Sequence, residues 1–433
     1  MTDAGMPRRS PPVGMPPAPA SGSAGSPLPP LPGMPHLAVR GVSGLPEVGE
    51  GADLAALIVG AAQSAGIPIG PGDVLVVSSK VVSKAAGLSV RGQRTDVVAS
   101  QTLRVVAERQ GPGGITRIVE GRAGPVMAAA GVDASNVGPR AALADDGRPE
   151  PTPRETPPDP MPHEAGFDAG RGGTAYETLL LLPTDPDAEA SALRAGVLTA
   201  LGLPLDTALG VIVSDTAGRP WRSGQVDFAL GSAGVRPVLD HRGTADADGR
   251  PMSVTVRCVV DELAAAADLV KGKTDQVPVA VVSGCPSAWL SESAPGSRSV
   301  VRTGASDWFA YGHVDAIRWA LGVVPGSPES AGAGVPPSTP DGLGARVGRV
   351  VAVALAGLDD AGVDVALSGG DEFARQAAEG LAHCAALLSL SAPDDLTLGR
   401  LLARLDIAAA SEGLLARWQP DDPHLLTLTP APR

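Results

Sequence analysis

The chain has 433 residues, of which 43% are hydrophobic and only 3% aromatic, and its formal net charge is −13 at pH 7. This length suits roughly two or three domains with a core of alanine, valine and leucine. The acidic balance, without a long lysine or arginine run, excludes nucleic acid and anionic membranes as expected partners. Cys258, Cys285 and Cys384 are isolated and odd in number, which predicts a reduced, cytoplasmic compartment rather than disulfides or a zinc site.

Three segments rich in proline and glycine interrupt the pattern of predicted elements. Residues 1–36 are interpreted as a disordered tail, because such a composition cannot bury enough apolar surface to fold. Residues 138–174 are interpreted as a surface insertion, since structureless stretches of this length are unusual inside a domain. The third segment, 323–342, is interpreted as a linker. No apolar run in the sequence is long enough to span a bilayer.

Helices and strands alternate between residues 37 and 322, without a clean strand–helix–strand repeat, which predicts a mixed α/β domain. The elements predicted before the insertion are a helix at 53–65 and strands at 74–77 and 117–119. Those predicted after it are helices at 187–201, 261–270 and 308–321, and strands at 211–213, 253–260 and 277–282. Residues 343–433 have helical periodicity and little else, so a small, mainly helical C-terminal region is expected.

An apolar, β-branched strand is predicted to end just before Asp215 and Thr216, with a loop rich in glycine and arginine after it. A carboxylate and a hydroxyl at the end of a strand are suitable ligands for a divalent metal, and Asp133 in a turn of small residues is a second candidate. Arg219 and Arg222 could then neutralise phosphate oxygens. The alternative is that both aspartates are turn or cap residues, and residue types alone do not separate the two interpretations.

Other motifs are weaker. Residues 271–274 (KGKT) resemble the end of a phosphate-binding P-loop, but Ala267 stands where the P-loop needs glycine, and the motif follows a helix rather than a strand. A helix C-terminus with lysine at its negative end and glycine as the cap is the better interpretation. Lys80 and Lys84 follow a predicted strand, where phosphate-binding lysines occur, yet alone they are better explained as solvated helix charges. The isolated His241 has no catalytic pattern around it.

Taken together, five segments in order resemble one family, the coenzyme F-420:L-glutamate ligases, also called F420-0:gamma-glutamyl ligases. They are residues 44–48 (GLPEV), 72–87 (GDVLVVSSKVVSKAAG), 128–138 (AAAGVDASNVG), 211–234 and 259–284. The resemblance spans roughly residues 37–322. It implies a mixed-sheet α/β fold of the gamma-glutamyl ligase type, neither P-loop nor Rossmann, and a homodimer.

The resemblance also implies an activity that depends on GTP and on Mg²⁺ or Mn²⁺. GTP would phosphorylate the phospholactyl carboxylate of a coenzyme F-420 precursor, and the amine of L-glutamate would then displace the phosphate to form an amide. The implied metal ligands are Asp133, Asp215 and Thr216, and the implied GTP contacts are Leu45, Pro46, Glu47, Val48, Ser79, Lys84 and Asn136. Arg219 and Arg222 become candidate catalytic clamps, on charge and position only.

The sequence also departs from the family pattern. Asp248 stands where related chains usually carry tyrosine, and Ser283 where they usually carry arginine. Loss of the arginine would weaken binding of an anionic substrate. Residues 343–433 are too few for the flavin-binding domain fused to some actinobacterial relatives, so no FMN is expected. Two other functions stay open at this point: another nucleotide-dependent amide ligase on the same scaffold, and a non-catalytic scaffold protein.

Overall fold

The computed structural model describes the residues in the ranges 36–111, 114–134, 176–272, 275–303, 307, 309, 311–337, 341–368, 385–419 and 421–431. Residues Leu37–Arg433 form one compact unit, and the fold below is that of this unit. The predicted tail, except for its last residue, and the predicted insertion at 138–174 lie outside the described residues.

The first part of the chain is a mixed α/β structure, as predicted. Its strands are β1 (Ala38–Val42), β2 (Val74–Ser78), β3 (Ser89–Gly92), β4 (Thr102–Gly111), β5 (Gly114–Gly121), β6 (Val126–Ala128), β7 (Glu177–Leu180), β8 (Gly210–Arg219), β9 (Arg222–Ala233), β10 (Val238–Asp240), β11 (Val256–Cys258) and β12 (Val279–Ser283). Its helices are α1 (Leu54–Ser64), α2 (Ser79–Ala85), α3 (Arg94–Gln101), α4 (Pro186–Ala200) and α5 (Val259–Lys271).

A five-stranded sheet in the order β1-β12-β2-β8-β9 forms the centre of this part. The β2–β8 pair is parallel and the other pairs are antiparallel. Leu75 and Val77 pack with α1 and α4 on one face, whereas Val74 and Val76 pack with α5 on the other. Because both faces of β2 are covered, its sequence is an unbroken apolar run rather than an alternating one.

The segment after the apolar run of β8 was expected to be a loop, and this prediction is wrong. The strand continues through Asp215 and Thr216 to Arg219, turns at residues 220–221, and returns as β9. Glycine and polar residues lowered the strand signal of the sequence, but pairing with β9 supplies the hydrogen bonds that keep this segment extended. The two candidate ligands therefore lie inside a β-hairpin and not beyond its end.

Over its described residues the C-terminal region is not mainly helical, which corrects the prediction made for 343–433. Helices α6 (His313–Ala320), α7 (Pro328–Ala333), α8 (Leu343–Leu355) and α9 (Asp395–Ser411) accompany an antiparallel sheet. The sheet has the order β13-β14-β16-β15, with bounds β13 (Asp364–Ser368), β14 (Ala386–Ser391), β15 (Leu414–Gln419) and β16 (Asp422–Pro430). Its strands are short and lie between amphipathic helices, so their alternation was hidden by the stronger helical pattern.

The prediction of a linker at 323–342 is also wrong for the described residues of this range. Val323 and Ala333 are buried in one core with Val350 of α8, Leu401 of α9 and Leu388 of β14. The glycine and proline content of this stretch therefore serves turns and helix starts within a folded region. Within the described part of the chain, none of the helices has the length and apolarity to cross a membrane.

Candidate active site

The structure brings two of the predicted metal ligands, Asp133 and Asp215, to the same edge of the central sheet. Strand β2 ends at Ser78, which pairs with Ser214 in the middle of its parallel neighbour β8, so α2 begins next to Asp215. Asp133 is fixed beyond this edge, because its backbone exchanges hydrogen bonds of 3.1 and 2.8 Å with Leu180 at the end of β7. Lys80 of α2 forms an ion pair of 2.8 Å with the Asp133 carboxylate.

The pKa of the Asp215 carboxyl reflects its burial and the charged groups around it. Burial raises the pKa of its carboxyl to about 6, and a backbone hydrogen bond from Thr216 opposes this rise. The nearby Asp227 and Asp133 carboxylates raise the pKa further, whereas Lys80 lowers it. Asp215 thus lies near two further carboxylates and Lys80, and a bound cation would relieve the repulsion that raises its pKa.

Thr216, the third predicted ligand, faces the other side of the sheet. Consecutive side chains of a strand point to opposite faces, so Asp215 and Thr216 are separated although they adjoin in sequence. Thr216 pairs across the hairpin with Asp227 of β9, and its hydroxyl donates to Asp227 Oδ1 at 2.7 Å. The side chain of Thr216 therefore does not lie on the face of β8 that carries Asp215.

A buried polar network lies on the Thr216 side and was missed by the sequence reasoning. Lys271, at the end of α5, donates to Asp227 Oδ2 at 2.5 Å and to Ser214 Oγ at 2.7 Å. Ser214 Oγ in turn donates to Asp227 Oδ2 at 2.9 Å. Gly272 ends the helix with a positive φ, as predicted, but Lys271 is buried and is not a solvated helix-end charge. The available signal was Asp227 itself, a carboxylate inside an apolar strand sequence that needs a buried partner.

The predicted nucleotide-binding residues are close together where the structure describes them. Glu47 forms an ion pair of 2.5 Å with Lys84 of α2, which holds the 44–48 segment beside that helix. Ser79 is buried at the first position of the same helix, and Val48 is part of the core. Leu45 is partly buried, whereas the neighbouring Pro46 is exposed. Asn136 lies outside the described residues.

The two predicted arginine clamps do not reach Asp215. Arg219 and Arg222 pair with each other across the tip of the β8–β9 hairpin, and both are exposed. Four residues of extended strand separate Asp215 from Arg219, which corresponds to about 13 Å. Between the arginines, Trp221 has a positive φ and packs edge-to-face on Phe309, with ring centroids 5.8 Å apart. The geometry corrects the expectation that these arginines lie beside the aspartate.

We expect Arg219→Ala or Arg222→Ala alone to lower the rate of the ligase reaction that the resemblance implies by less than about tenfold, or about 1.4 kcal/mol of transition-state stabilisation. The physical reason is the distance along the hairpin, since screened charges at such separations interact weakly. Steady-state kinetics of the two variants under saturating substrates check this. A loss of activity by several orders of magnitude would show that the arginines act at the reaction centre.

Comparison with known proteins places this chain in a family. The family model described as F420-0:Gamma-glutamyl ligase matches residues 44–145 and 162–284, just over half of the chain. The chain belongs to this family. A coenzyme F420:L-glutamate ligase of Halobacterium salinarum is 36% identical over 248 residues, covering 56% of this chain and 84% of that protein. Proteins of the same name from Methanothermobacter thermautotrophicus and Natronomonas pharaonis are 34% and 35% identical over 265 and 262 residues.

The two archaeal matches just named cover 57% and 56% of this chain and 88% and 83% of those proteins. As a member of the family, the chain is an enzyme, a ligase that forms carbon–nitrogen bonds. The family match includes Asp133, Asp215 and Lys271, and the stretch it skips, 146–161, falls inside the predicted insertion. It ends at residue 284, so α6 to α9 and the C-terminal sheet lie beyond the matched part.

Proposed function

We propose that this ligase joins L-glutamate, through an amide bond, to the phospholactyl carboxylate of a coenzyme F-420 precursor, with GTP and a divalent metal. Family membership and the names of the similar archaeal proteins support the substrates. The observation that carries the site is the convergence of Asp133, Asp215 and Lys80 where β2 ends beside β8. The homodimer and the preference for GTP are parts of this proposal that rest on the family resemblance.

The side chains present fit a hard divalent cation. Within the described residues, no three histidine, cysteine, aspartate or glutamate side chains are grouped as a ready-made metal centre. Two carboxylates are nevertheless sufficient for Mg²⁺ or Mn²⁺ when phosphate oxygens and water complete the shell. Asp133 and Asp215 would hold such an ion beside the end of β2, whereas the Thr216 side chain lies on the other face of β8, where its hydroxyl donates to Asp227. When bound, the metal would neutralise charge on the nucleotide phosphates.

Lysine side chains supply the positive charge that phosphate transfer needs. Lys80 and Lys84 lie on the same short helix, directly after the strand that ends beside Asp215. Their ion pairs with Asp133 and Glu47 place both ammonium groups near the segments implied to contact GTP. Phosphoryl transfer requires little covalent participation by the protein, and positioning with charge neutralisation provides most of the rate increase.

The proposed reaction has two balanced steps. A carboxylate oxygen of the precursor attacks the γ-phosphorus of GTP, and the bond to the bridging oxygen breaks to release GDP. The amine nitrogen of L-glutamate then attacks the carbonyl carbon of the acyl phosphate, and inorganic phosphate departs as the amine loses a proton. A free carboxylate is a poor electrophile at neutral pH, so the first step creates the leaving group that the second requires.

The direct test is incubation of the purified protein with the glutamate-free coenzyme, L-glutamate, GTP and Mn²⁺, followed by mass spectrometry. We expect a product heavier by one glutamyl residue and formation of GDP in equal amount. Replacement of GTP by ATP in a parallel reaction tests the nucleotide preference. Nucleotide binding without product would indicate a different acceptor, and absence of nucleotide binding would contradict the proposal in favour of a scaffold protein.

A further inference from the structure

Two exposed aromatic side chains meet at the tip of the β8–β9 hairpin. The chain has only 5 Trp, 2 Tyr and 4 Phe residues, yet Trp221 at this tip contacts Phe309, with ring centroids 5.8 Å apart. Trp221 is 87% exposed and Phe309 is 66% exposed. Tryptophan is on average highly buried, because its ring is one of the largest apolar surfaces that a side chain offers. An open pair of this kind is a candidate binding surface for another flat apolar group.

The backbone holds Trp221 at the tip against the conformational preference of this residue. Arg219 and Arg222 pair across the hairpin, so Pro220 and Trp221 form its two-residue turn. The ring of Pro220 fixes its φ at about −65°, and Trp221 has a φ of 58°. A turn with this combination favours glycine or asparagine at the second central position, since other residues are strained there. A strained tryptophan that remains exposed indicates a use of its side chain in binding rather than in folding.

The Phe309 side of the pair is fixed to strand β4. Asp307 Oδ1 accepts a hydrogen bond from the Phe309 backbone N–H at 2.8 Å, and Asp307 Oδ2 lies 3.4 Å from Arg104 Nη2. The Arg104 guanidinium also lies over the ring of Tyr311, 5.5 Å from its centroid. Arg104 of β4 thus anchors residues on both sides of Phe309 in sequence. A surface that is held in place before a ligand arrives loses less entropy on binding, which favours a specific ligand.

The distance from this aromatic pair to the proposed metal site matches the length of the proposed substrate. The tip of the hairpin begins at Arg219, about 13 Å of extended strand beyond Asp215. A coenzyme F-420 precursor carries a flat deazaflavin ring, which a ribityl chain joins to the phospholactyl group. Roughly ten bonds separate the ring from the carboxylate, and they span about 13 Å when extended, at about 1.3 Å per bond. A precursor whose carboxylate lies beside Asp215 therefore reaches the hairpin tip with its ring.

We infer that Trp221 and Phe309 bind the deazaflavin ring of the precursor by stacking, an inference that rests on the proposed function. A flat aromatic ring stacks favourably on an indole when the two rings are offset. Arg219 and Arg222 flank Trp221 and are exposed, so their guanidinium groups can donate hydrogen bonds to the carbonyl oxygens of the ring.

The guanine of GTP is the other flat ring in the proposed reaction, and it has a different place. The segment implied to contact GTP is held beside α2 by the ion pair between Glu47 and Lys84. Helix α2 begins where β2 ends, next to Asp215 and not at the hairpin tip. The aromatic pair is therefore assigned to the ring of the precursor.

The test is steady-state kinetics of Trp221→Gly in the full chain, with the precursor varied and GTP, L-glutamate and Mn²⁺ saturating. Glycine adopts a positive φ without strain, so this variant keeps the turn and should unfold at about the temperature of the wild type. We expect KM for the precursor to rise about 10- to 100-fold, the range for one ring stacked on an aromatic side chain. The value of kcat should be unchanged, because stacking is the same in the ground state and the transition state. Trp221→Phe, which keeps a ring, should raise KM less.

A fragment of the precursor separates stacking from an indirect effect on the site. The ribityl deazaflavin without its phospholactyl group should inhibit the wild type competitively with the precursor. Trp221→Gly should raise the inhibition constant of this fragment by the same factor as KM. Stabilisation by GDP with Mn²⁺ should be equal in the two proteins, since the nucleotide site is elsewhere. Unchanged KM in Trp221→Gly would overturn the inference, and so would a fall in kcat without a change in KM.

Trp418→Ala is the matched control, because Trp418 is also an exposed tryptophan, 52% open to solvent, on β15 of the C-terminal region. It should leave KM for the precursor unchanged, and an equal rise of KM in this control would overturn the inference. Sedimentation of the wild type and Trp221→Gly tests a second copy of the chain as the occupant. A change of oligomeric state in the variant would assign the surface to a contact between copies and overturn the ring site.

Failure of the inference and failure of the proposed function give different results. A wild-type protein that ligates no glutamate to the precursor would overturn the proposed function, and the inference with it. Glutamate ligation by the wild type together with an unchanged KM in Trp221→Gly would overturn the inference alone.

Discussion

Asp215→Asn is expected to lower the rate of glutamate ligation by at least about 10³-fold while the protein stays folded. Asn keeps the shape of the side chain but removes the negative charge that, with Asp133, would hold the cation beside the end of β2. The stability should not suffer, because the charge of Asp215 is buried and lies near two further carboxylates. We therefore expect the melting temperature without metal to be equal to or higher than that of the wild type.

The measurement for Asp215→Asn combines the mass-spectrometric assay with thermal unfolding in the presence and absence of Mn²⁺. Stabilisation by Mn²⁺ with GDP should be present in the wild type and reduced in the variant. Asp248→Asn, in the exposed turn between β10 and β11, is the matched control and should behave as the wild type in both assays. Retention of more than about a tenth of the activity would contradict the assignment of Asp215 as a metal ligand. A tenfold loss of activity corresponds to only about 1.4 kcal/mol of transition-state stabilisation.

Glu108→Ala is expected to destabilise the protein by about 3–5 kcal/mol, because it removes one partner of a buried charge network. Glu108 of β4 is 1% exposed. It accepts hydrogen bonds from Arg117 Nε at 3.1 Å, from the backbone of Gly326 at 3.0 Å, and from the Ser330 hydroxyl. These partners join the β4–β5 hairpin to the segment that leads into the C-terminal region, so loss of Glu108 should also loosen the attachment between them.

Urea unfolding and limited proteolysis of the Glu108→Ala variant check both parts of this expectation. The unfolding midpoint should fall, and cleavage should become faster near α7. The exposed ion pair between Asp240 and Arg242 provides the control, and Asp240→Asn should leave the midpoint unchanged because surface pairs contribute little. An unchanged midpoint in Glu108→Ala would show that the network has no net effect on the stability of the protein.

Much of the central sheet was predictable because the sequence signals of its elements are local. The apolar runs of β2 and β12 indicate where these strands lie. Asp53 indicates the start of α1, and its side chain accepts a hydrogen bond from the Ala56 backbone N–H, which is typical of an N-cap. In each of these cases the information lies within a few residues of the chain. The grouping of Asp133 with Asp215, by contrast, was implied only by the family resemblance.

What could not be predicted depends on contacts between distant segments. The extension of β8 past Thr216 requires β9, and the burial of Lys271 requires an aspartate 44 residues away in sequence. The four C-terminal strands are held by one another and by helices on either side of them in sequence. Local propensity carries no information about such partners. The sequence around a lysine at a helix end is the same whether its ammonium group is solvated or paired with a buried carboxylate.

The shared core of Val323, Ala333 and the C-terminal helices has a practical consequence for anyone who shortens this protein. A truncation after residue 322, where the ligase-like pattern was expected to finish, would keep Leu321 but discard the side chains that cover it. A truncation after residue 284, where the family match stops, would deprive Glu108 of Ser330 and Gly326. Either shortened chain is expected to be recovered mainly as aggregate, so the smallest unit that folds extends beyond the unit that relatives share.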